Sequence, residues 1–268
     1  MNSLDKIEQI IIENTNKSER LVQGIWAVDC LFNPSNNRRI FDYKFIVSQS
    51  IDQGCAYSTN LEYSREYLRN YVGKDFTENY VEDIAMRVSL FDSVFWKVSK
   101  PQKYVEKIMT GSSSEKLKWR TSIVLEEARR LLKNLEDKKI VNVGVVGDFI
   151  KAFSEVGAHV VGTDFDQAIV GKSVFGNTNI IHGSDTLKEI ADADLAVVTG
   201  MTITTQTIDS IIECCQKNNV KLIVFAETGA NLAGYYVDKG VDVYLAEHFP
   251  FYIFNGTSII DVCYPSID

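Results

Sequence analysis

Leu195-Ala196-Val197-Val198 runs into Thr199-Gly200-Met201-Thr202, and Leu222-Ile223-Val224-Phe225 runs into Ala226-Glu227-Thr228-Gly229-Ala230-Asn231. Each is a short apolar run closed by a glycine- and hydroxyl-containing loop, with a helical pattern after it. A strand buried on both faces of a parallel sheet hands over to a helix in this way. In open α/β sheets, ligands bind just beyond the carboxyl ends of such strands. The two loops therefore mark the expected working edge of the molecule.

The same alternation extends outward from these runs. Strands are predicted at 140–146, 158–163, 178–182, 194–198, 221–225 and 242–246, with helices between most of them, for example Thr205 to Lys217. That order implies an α/β, doubly wound parallel sheet. Upstream the order is different. Ile7, Ile10, Ile11 and Ile12 give a first helix one apolar side. Leu21 to Phe32 and Ile40 to Val47 read as strands around the turn signal Asn33-Pro34-Ser35-Asn36-Asn37, and a third short strand ends near Gly54–Ser58. Two helices follow, one between Glu78 and Val98 and one between Ser114 and Leu135, with Gly111–Ser114 as loop and N-cap. Strands followed by helices make an α+β domain. The polar stretch Lys133–Lys139 places the boundary, giving domains at 1–137 and 138–268.

The chain has 268 residues, 45% hydrophobic and 24% charged, as soluble globular proteins do. Its formal net charge of -8 argues against nucleic acid and anionic membrane surfaces as partners. No apolar run approaches the roughly 20 residues of a membrane helix. The charged start Met1-Asn2-Ser3-Leu4-Asp5-Lys6 lacks a signal-peptide core, so a cytoplasmic location is expected. Five cysteines without a CxxC pair predict neither a disulfide framework nor a structural zinc site.

Several positions could carry chemistry. The first βα turn contains Gly144 and Gly147 but not a full G-x-G-x-x-G, and Asp148 follows as a helix cap that would repel phosphate. About 20 residues on, Asp164 or Asp166 stands where an acid holds a ribose in nucleotide-binding folds, or else caps the loop. Thr199, Thr202, Thr204 and Thr205 can bind a polar small molecule or cap a helix. Glu227 ends an apolar strand, where a half-buried carboxylate is poised for acid–base catalysis or metal binding; Asn231 could cap or bind. Glu247 and His248 could join Glu227 on a metal, although a lone histidine is commonly structural. Cys214 and Cys215 read as packing residues of one helix, and Cys55 as a thiol exposed at a strand end.

The residues at 191–262 resemble those of the putative heavy-metal-chelation proteins, a family of unknown function. Its pattern of a strand ending in Thr-Gly is present as Val198-Thr199-Gly200-Met201-Thr202. Its Gly-Val-Asp-Val segment is present as Gly240–Val243, and its Gly-Leu-Ala-Tyr-Thr resembles Gly54-Cys55-Ala56-Tyr57-Ser58. Its small-residue loop, commonly Gly-Pro-Ser-Thr-Pro, is replaced by Glu227-Thr228-Gly229-Ala230-Asn231. The resemblance implies an enolase-N-terminal-like domain joined to a Rossmann-like domain. It places the ligand cleft between the two, with Gly54, Cys55 and Tyr57 on one wall and Thr199, Gly200, Thr202, Glu227, Thr228 and Asn231 on the other. A small polar or metal-chelating ligand, with or without a divalent metal ion, is the expected occupant. The alternatives are an enzyme using S-adenosylmethionine or another nucleotide cofactor, held by Gly144, Gly147, Asp164 and Asp166, and a noncatalytic carrier or sensor. A homodimer is compatible with each.

Overall fold

The structure, a computed structural model, describes residues 2–33, 41–58, 63–78, 80–172 and 178–266. In chain order it begins with α1 (Ser3–Asn14), β1 (Gly24–Phe32), β2 (Phe41–Gln49), β3 (Gln53–Tyr57), α2 (Arg65–Arg69) and α3 (Ile84–Val98). β4 (Lys103–Gly111) and α4 (Ser113–Leu132) follow, then β5 (Lys139–Val143), α5 (Gly147–Glu155), β6 (His159–Asp164), β7 (Ile180–His182) and α6 (Thr186–Ile190). The chain continues through β8 (Leu195–Thr199), α7 (Met201–Thr204), α8 (Ile208–Asn218), β9 (Lys221–Ala226), α9 (Ala233–Asp238), β10 (Val243–Glu247) and β11 (Gly256–Tyr264). The turn expected at 34–37 and the predicted strand start at 40 lie outside the described residues.

The described strands form two sheets. β1, β2 and β3 make an antiparallel meander, with Phe45 opposite Tyr57 and Val47 opposite Cys55. The large sheet has the order β4-β11-β10-β9-β8-β5-β6-β7. Its strands are parallel from β10 to β7, while β11 and β4 run antiparallel along one edge. Counted from β5, the parallel strands lie in the order 3-2-1-4-5-6, that of nucleotide-binding doubly wound sheets. The α/β class read from the alternating runs holds. All six predicted strands are present, because strands buried on both faces must be apolar along their length.

Two elements were missed. β4 lies between the two predicted helices, just before the loop expected at Gly111–Ser114, and β11 lies beyond the last predicted strand; neither was assigned from the sequence. On β4, Val105 and Ile108 are both exposed, so neither face shows the clean alternation that identifies a strand. The large sheet also crosses the expected boundary at 137. β4 pairs with β11 along their whole length, and α4 packs on α5 and β9.

α3 is the hub. Ala85 to Phe95 are all buried, Arg87, Ser89, Asp92 and Ser93 included, as in a helix enclosed on every side. It contacts α1, β2, β3 and the turn at 230–232. β3 approaches it so closely that a Cβ at Gly54 would stand 2.0 Å from the Ser89 carbonyl oxygen and 2.4 Å from the Ser93 nitrogen. Gly54 is therefore a packing position rather than a ligand contact. Gly54→Ala will destabilise the protein by about 1–3 kcal/mol through overpacking, read from the urea midpoint. Among the described residues, no helix is long and apolar enough to cross a membrane.

Candidate functional site

The loop after β9 joins the two sheets. Gly229 N donates to the Cys55 carbonyl at 3.0 Å, and Tyr57 N donates to Thr228 Oγ1 at 2.8 Å. Behind this seam lies Asp92 of α3, which is 1% exposed. Its two carboxylate oxygens accept the backbone amides of Cys55 (2.8 Å) and Asn231 (2.7 Å). Asn231 Nδ2 donates to the carbonyls of Gln53 and Asp92. So Thr228 and Asn231, expected to bind a ligand, are spent holding the seam. Cys55, expected to expose its thiol, is 3% exposed, and burial pushes that thiol well above its ordinary pKa.

The loop after β8 is satisfied from within except at Thr199, whose buried Oγ1 has no hydrogen-bond partner among the described residues. Thr202 Oγ1 donates to the Thr199 carbonyl, Thr204 Oγ1 donates to the Met201 carbonyl, and Thr205 and Thr207 pair with each other. Thr199 itself faces Gly144 across the point where the strand order reverses. A Cβ on Gly144, at φ 71°, would stand 2.2 Å from Thr199 Oγ1. Gly200 packs as closely, with its added Cβ 2.4 Å from the Thr228 carbonyl.

The expected cofactor positions are also engaged. Asp164 Oδ2 accepts Val145 N, and its other oxygen accepts Asp166 N; Asp166 Oδ1 accepts Ala168 N. A phosphate would have to displace the bond to the Val145 amide, while each Asp164 oxygen keeps acceptor capacity for a hydroxyl. Gly147 opens α5, and Asp148 follows it in the first turn. Asp148 makes no capping hydrogen bond, contrary to expectation, because α5 starts at Gly147, two residues earlier than a cap at Asp148 would require.

The side chains that do converge lie beyond β9 and β10. Ala226 pairs in register with Ala246, so Glu227 and Glu247 stand side by side at the carboxyl ends of neighbouring strands. Alternation turns Phe225, Glu227, Leu245 and Glu247 to the face covered by α4. From α4, Arg120 reaches both acids: Nη2 is 3.0 Å from Glu227 Oε1, and Nε is 3.2 Å from Glu247 Oε2. Its guanidinium lies between the rings of Tyr252 (4.0 Å) and Phe225 (4.5 Å). Neither ion pair is aligned as a hydrogen bond. Glu227 Oε1, Glu247 Oε2 and Arg120 Nε are buried without hydrogen-bond partners among the described residues.

Two acids share one cation here. Glu247 is 0% exposed and accepts Tyr252 N at 2.8 Å. Burial raises its carboxyl pKa; Arg120 opposes that rise and Glu227 adds to it. Burial works against the Arg120 charge, but Glu247 and then Glu227 hold its pKa above the ordinary value. Over this floor opens a small cleft, with a cavity volume of about 20 Å³. Tyr43, Phe45 and Tyr57 of the small sheet form one wall, and Phe251 and Tyr252 form another, with Glu227 between. Burial and then the Glu227 charge push the Tyr43 phenol up to about 12; its hydroxyl meets that of Tyr252 at 3.0 Å. At the rim, burial and then Asp42, Asp164 and Asp166 raise the pKa of Tyr57.

His248 does not join Glu227. One residue past Glu247, it turns to the opposite face, where Nε2 pairs with Asp261 Oδ2 at 2.8 Å and the ring packs edge-on to Trp96. Among the described residues, no group of three or more His, Cys, Asp and Glu side chains is placed to hold a metal ion. The donor set of the cleft does not suit a resident metal, because the Arg120 guanidinium already occupies the place of the cation between the two carboxylates and would repel a second. The expected metal pair of Glu227 and His248 is thus not assembled.

Of the expected site residues, Tyr57, Cys55, Thr228 and Glu227 line the cleft. Arg120, Tyr43 and Tyr252 were not anticipated. Arg120 could have been: it follows Leu117 by three residues and precedes Val124 by four, a charge on the apolar stripe of α4.

Residues 128–225 match the model of the DUF364 family, described as putative heavy-metal chelation. The chain is also similar to the structure of a protein of unknown function from that family in Desulfitobacterium hafniense. The TM-score is 0.59 at 10% identity, covering 96% of this chain and 97% of that one. A DUF364 protein of unknown function from Pyrococcus horikoshii follows at TM-score 0.51 and 12% identity, over 91% of this chain and 86% of that one. At such identities the likeness shows the fold. No curated protein matches the chain. The family anticipated from the Thr-Gly loops is the one matched, though over a segment that ends at residue 225. Arg120, Glu227 and Glu247 all lie outside it.

Proposed function

We propose that the cleft between the small sheet and the carboxyl edge of the large sheet binds a small polar organic molecule, anchored by Glu227. One observation carries this reading. The Glu227 carboxylate, 29% exposed and salt-bridged through Oε1 to the buried Arg120, sits at the floor of an aromatic-lined cleft. Oε1 is turned to Arg120 and closed off from solvent, so the exposed part of the carboxylate is what a ligand donor can reach. Mostly apolar walls around a few convergent polar groups are the usual make-up of small-molecule sites.

Purified protein will gain thermal stability with a member of a small-molecule panel. Ligand at about 100 times its Kd adds roughly 2.7 kcal/mol. Glu227→Gln, which keeps the shape and removes the charge, will abolish that gain. A panel response that survives the substitution places the binding elsewhere. S-adenosylmethionine and NAD belong in the same panel, where the occupied amides around Asp164 predict no shift with NAD.

A further inference from the structure

We infer, on the reading that this cleft is a binding site, that its ligand is an organic cation: an amine or methylated ammonium group seated against Glu227 and the tyrosine rings. Among the residues lining the cleft, Glu227 carries the charge, and there is no lysine, arginine or histidine. The cation beneath does not reverse this sign. Arg120 is 6% exposed, capped by two rings, and faces two carboxylates. The neighbouring elements add further negative charge. Asp148 of α5 lies within the field of Arg120, and Asp42, Asp164 and Asp166 act on Tyr57 at the rim. Lys116 of α4 is buried, with its ammonium donating to the Phe254 carbonyl. The charged groups on the lining and at the Tyr57 rim are therefore carboxylates, while the cations beneath, Arg120 and Lys116, are buried and already engaged.

The walls are also suited to a cation. The rings of Tyr43 and Tyr57 meet at 89° with centroids 6.3 Å apart, and those of Phe45 and Phe251 at 70° and 5.7 Å. Aromatic walls set at right angles recur in cages for quaternary and methylated ammonium groups, where the electron-rich ring faces attract the charge. The exposed part of the Glu227 carboxylate, whose Oε1 is taken by Arg120, supplies the counter-charge. An ammonium would donate to it, while a trimethylammonium would sit against it and the rings by charge alone.

The test is calorimetric titration of the full chain with ethylammonium, choline, 3,3-dimethyl-1-butanol (the neutral isostere of choline) and isovalerate. The expected result is binding of at least one cation, with the neutral isostere about tenfold or more weaker and the anion not bound. Glu227→Gln will erase the preference for the cation over its isostere. Tyr57→Leu will weaken the cation several-fold and keeps the test intact should Glu227→Gln not fold. If isovalerate or the neutral isostere binds as well as the cations, the charge assignment is overturned while the cleft remains a binding site. If no probe of any class binds at about 10 mM, the binding reading falls with it.

Discussion

Arg120→Ala will destabilise the protein by about 3–5 kcal/mol, the range for removing one partner of a buried ion pair. The cause is what remains. Glu247 is 0% exposed, and Glu227 stands beside it with a buried oxygen that accepts no hydrogen bond among the described residues. Without the guanidinium, two acids face each other in a desolvated floor. Arg120→Lys will recover only part of the loss, because a compact ammonium cannot reach two carboxylates while stacking between two rings. The double variant Arg120→Ala with Glu247→Gln will be less destabilised than the sum of its parts, since the glutamine removes the orphaned charge. Urea unfolding of the four proteins of the cycle reads this directly. Additive losses would show that Arg120 acts through packing alone.

Asp92→Ala will cost about 2–5 kcal/mol, because two buried backbone amides, those of Cys55 and Asn231, lose their acceptors at about 1–3 kcal/mol each. The same carboxyl should also give the protein a pH-dependent stability. Burial pushes its pKa up to about 8, against the pull of the two amides. Its folded value is thus above the ordinary 3.8, and the folded state holds the proton more tightly than the unfolded chain. Its contribution is fully present below about pH 4 and is lost as pH rises towards 8. Asp92→Asn does not titrate. Its stability gap to the wild type should therefore narrow from pH 5 to pH 8, as read by urea unfolding at several pH values. A constant gap would mean that Asp92 stays in one protonation state across the range. Glu247, whose carboxyl is also raised by burial, contributes equally to both proteins and cancels from the difference.

Both residues were visible in the sequence as anomalies, although their roles were not. Asp92 follows Val88 by four residues and precedes Phe95 by three, while Arg120 follows Leu117 by three and precedes Val124 by four. A charge on the apolar stripe of a helix must be paired once the helix is buried. The partners of Arg120 stand at the ends of β9 and β10, more than a hundred residues away, and those of Asp92 are Asn231, 139 residues away, and Cys55, 37 residues away. No local pattern encodes such a distance. Glu227 was singled out because it ends an apolar strand. His248 was joined to it by proximity along the chain, which the two-residue period of a strand defeats: neighbours point to opposite faces. The threonine-rich loop after β8 misled for another reason. Hydroxyls that could bind a ligand can equally bond their own backbone, as those of Thr202 and Thr204 do here.

The sequence by itself determined the doubly wound sheet, since a strand buried on both faces has to be apolar throughout and its turns must carry glycine and hydroxyls. It also marked the edge at which a site would form. Only the tertiary structure decided which residues make that site. The register of β9 against β10 sets Glu227 beside Glu247, α4 brings Arg120 over both, and the small sheet closes Tyr43 and Tyr57 above them. The physical reason is one of range. Hydrophobic periodicity acts over a few residues and can be read along the chain, whereas the charge balance of a buried floor depends on side chains that only packing brings together.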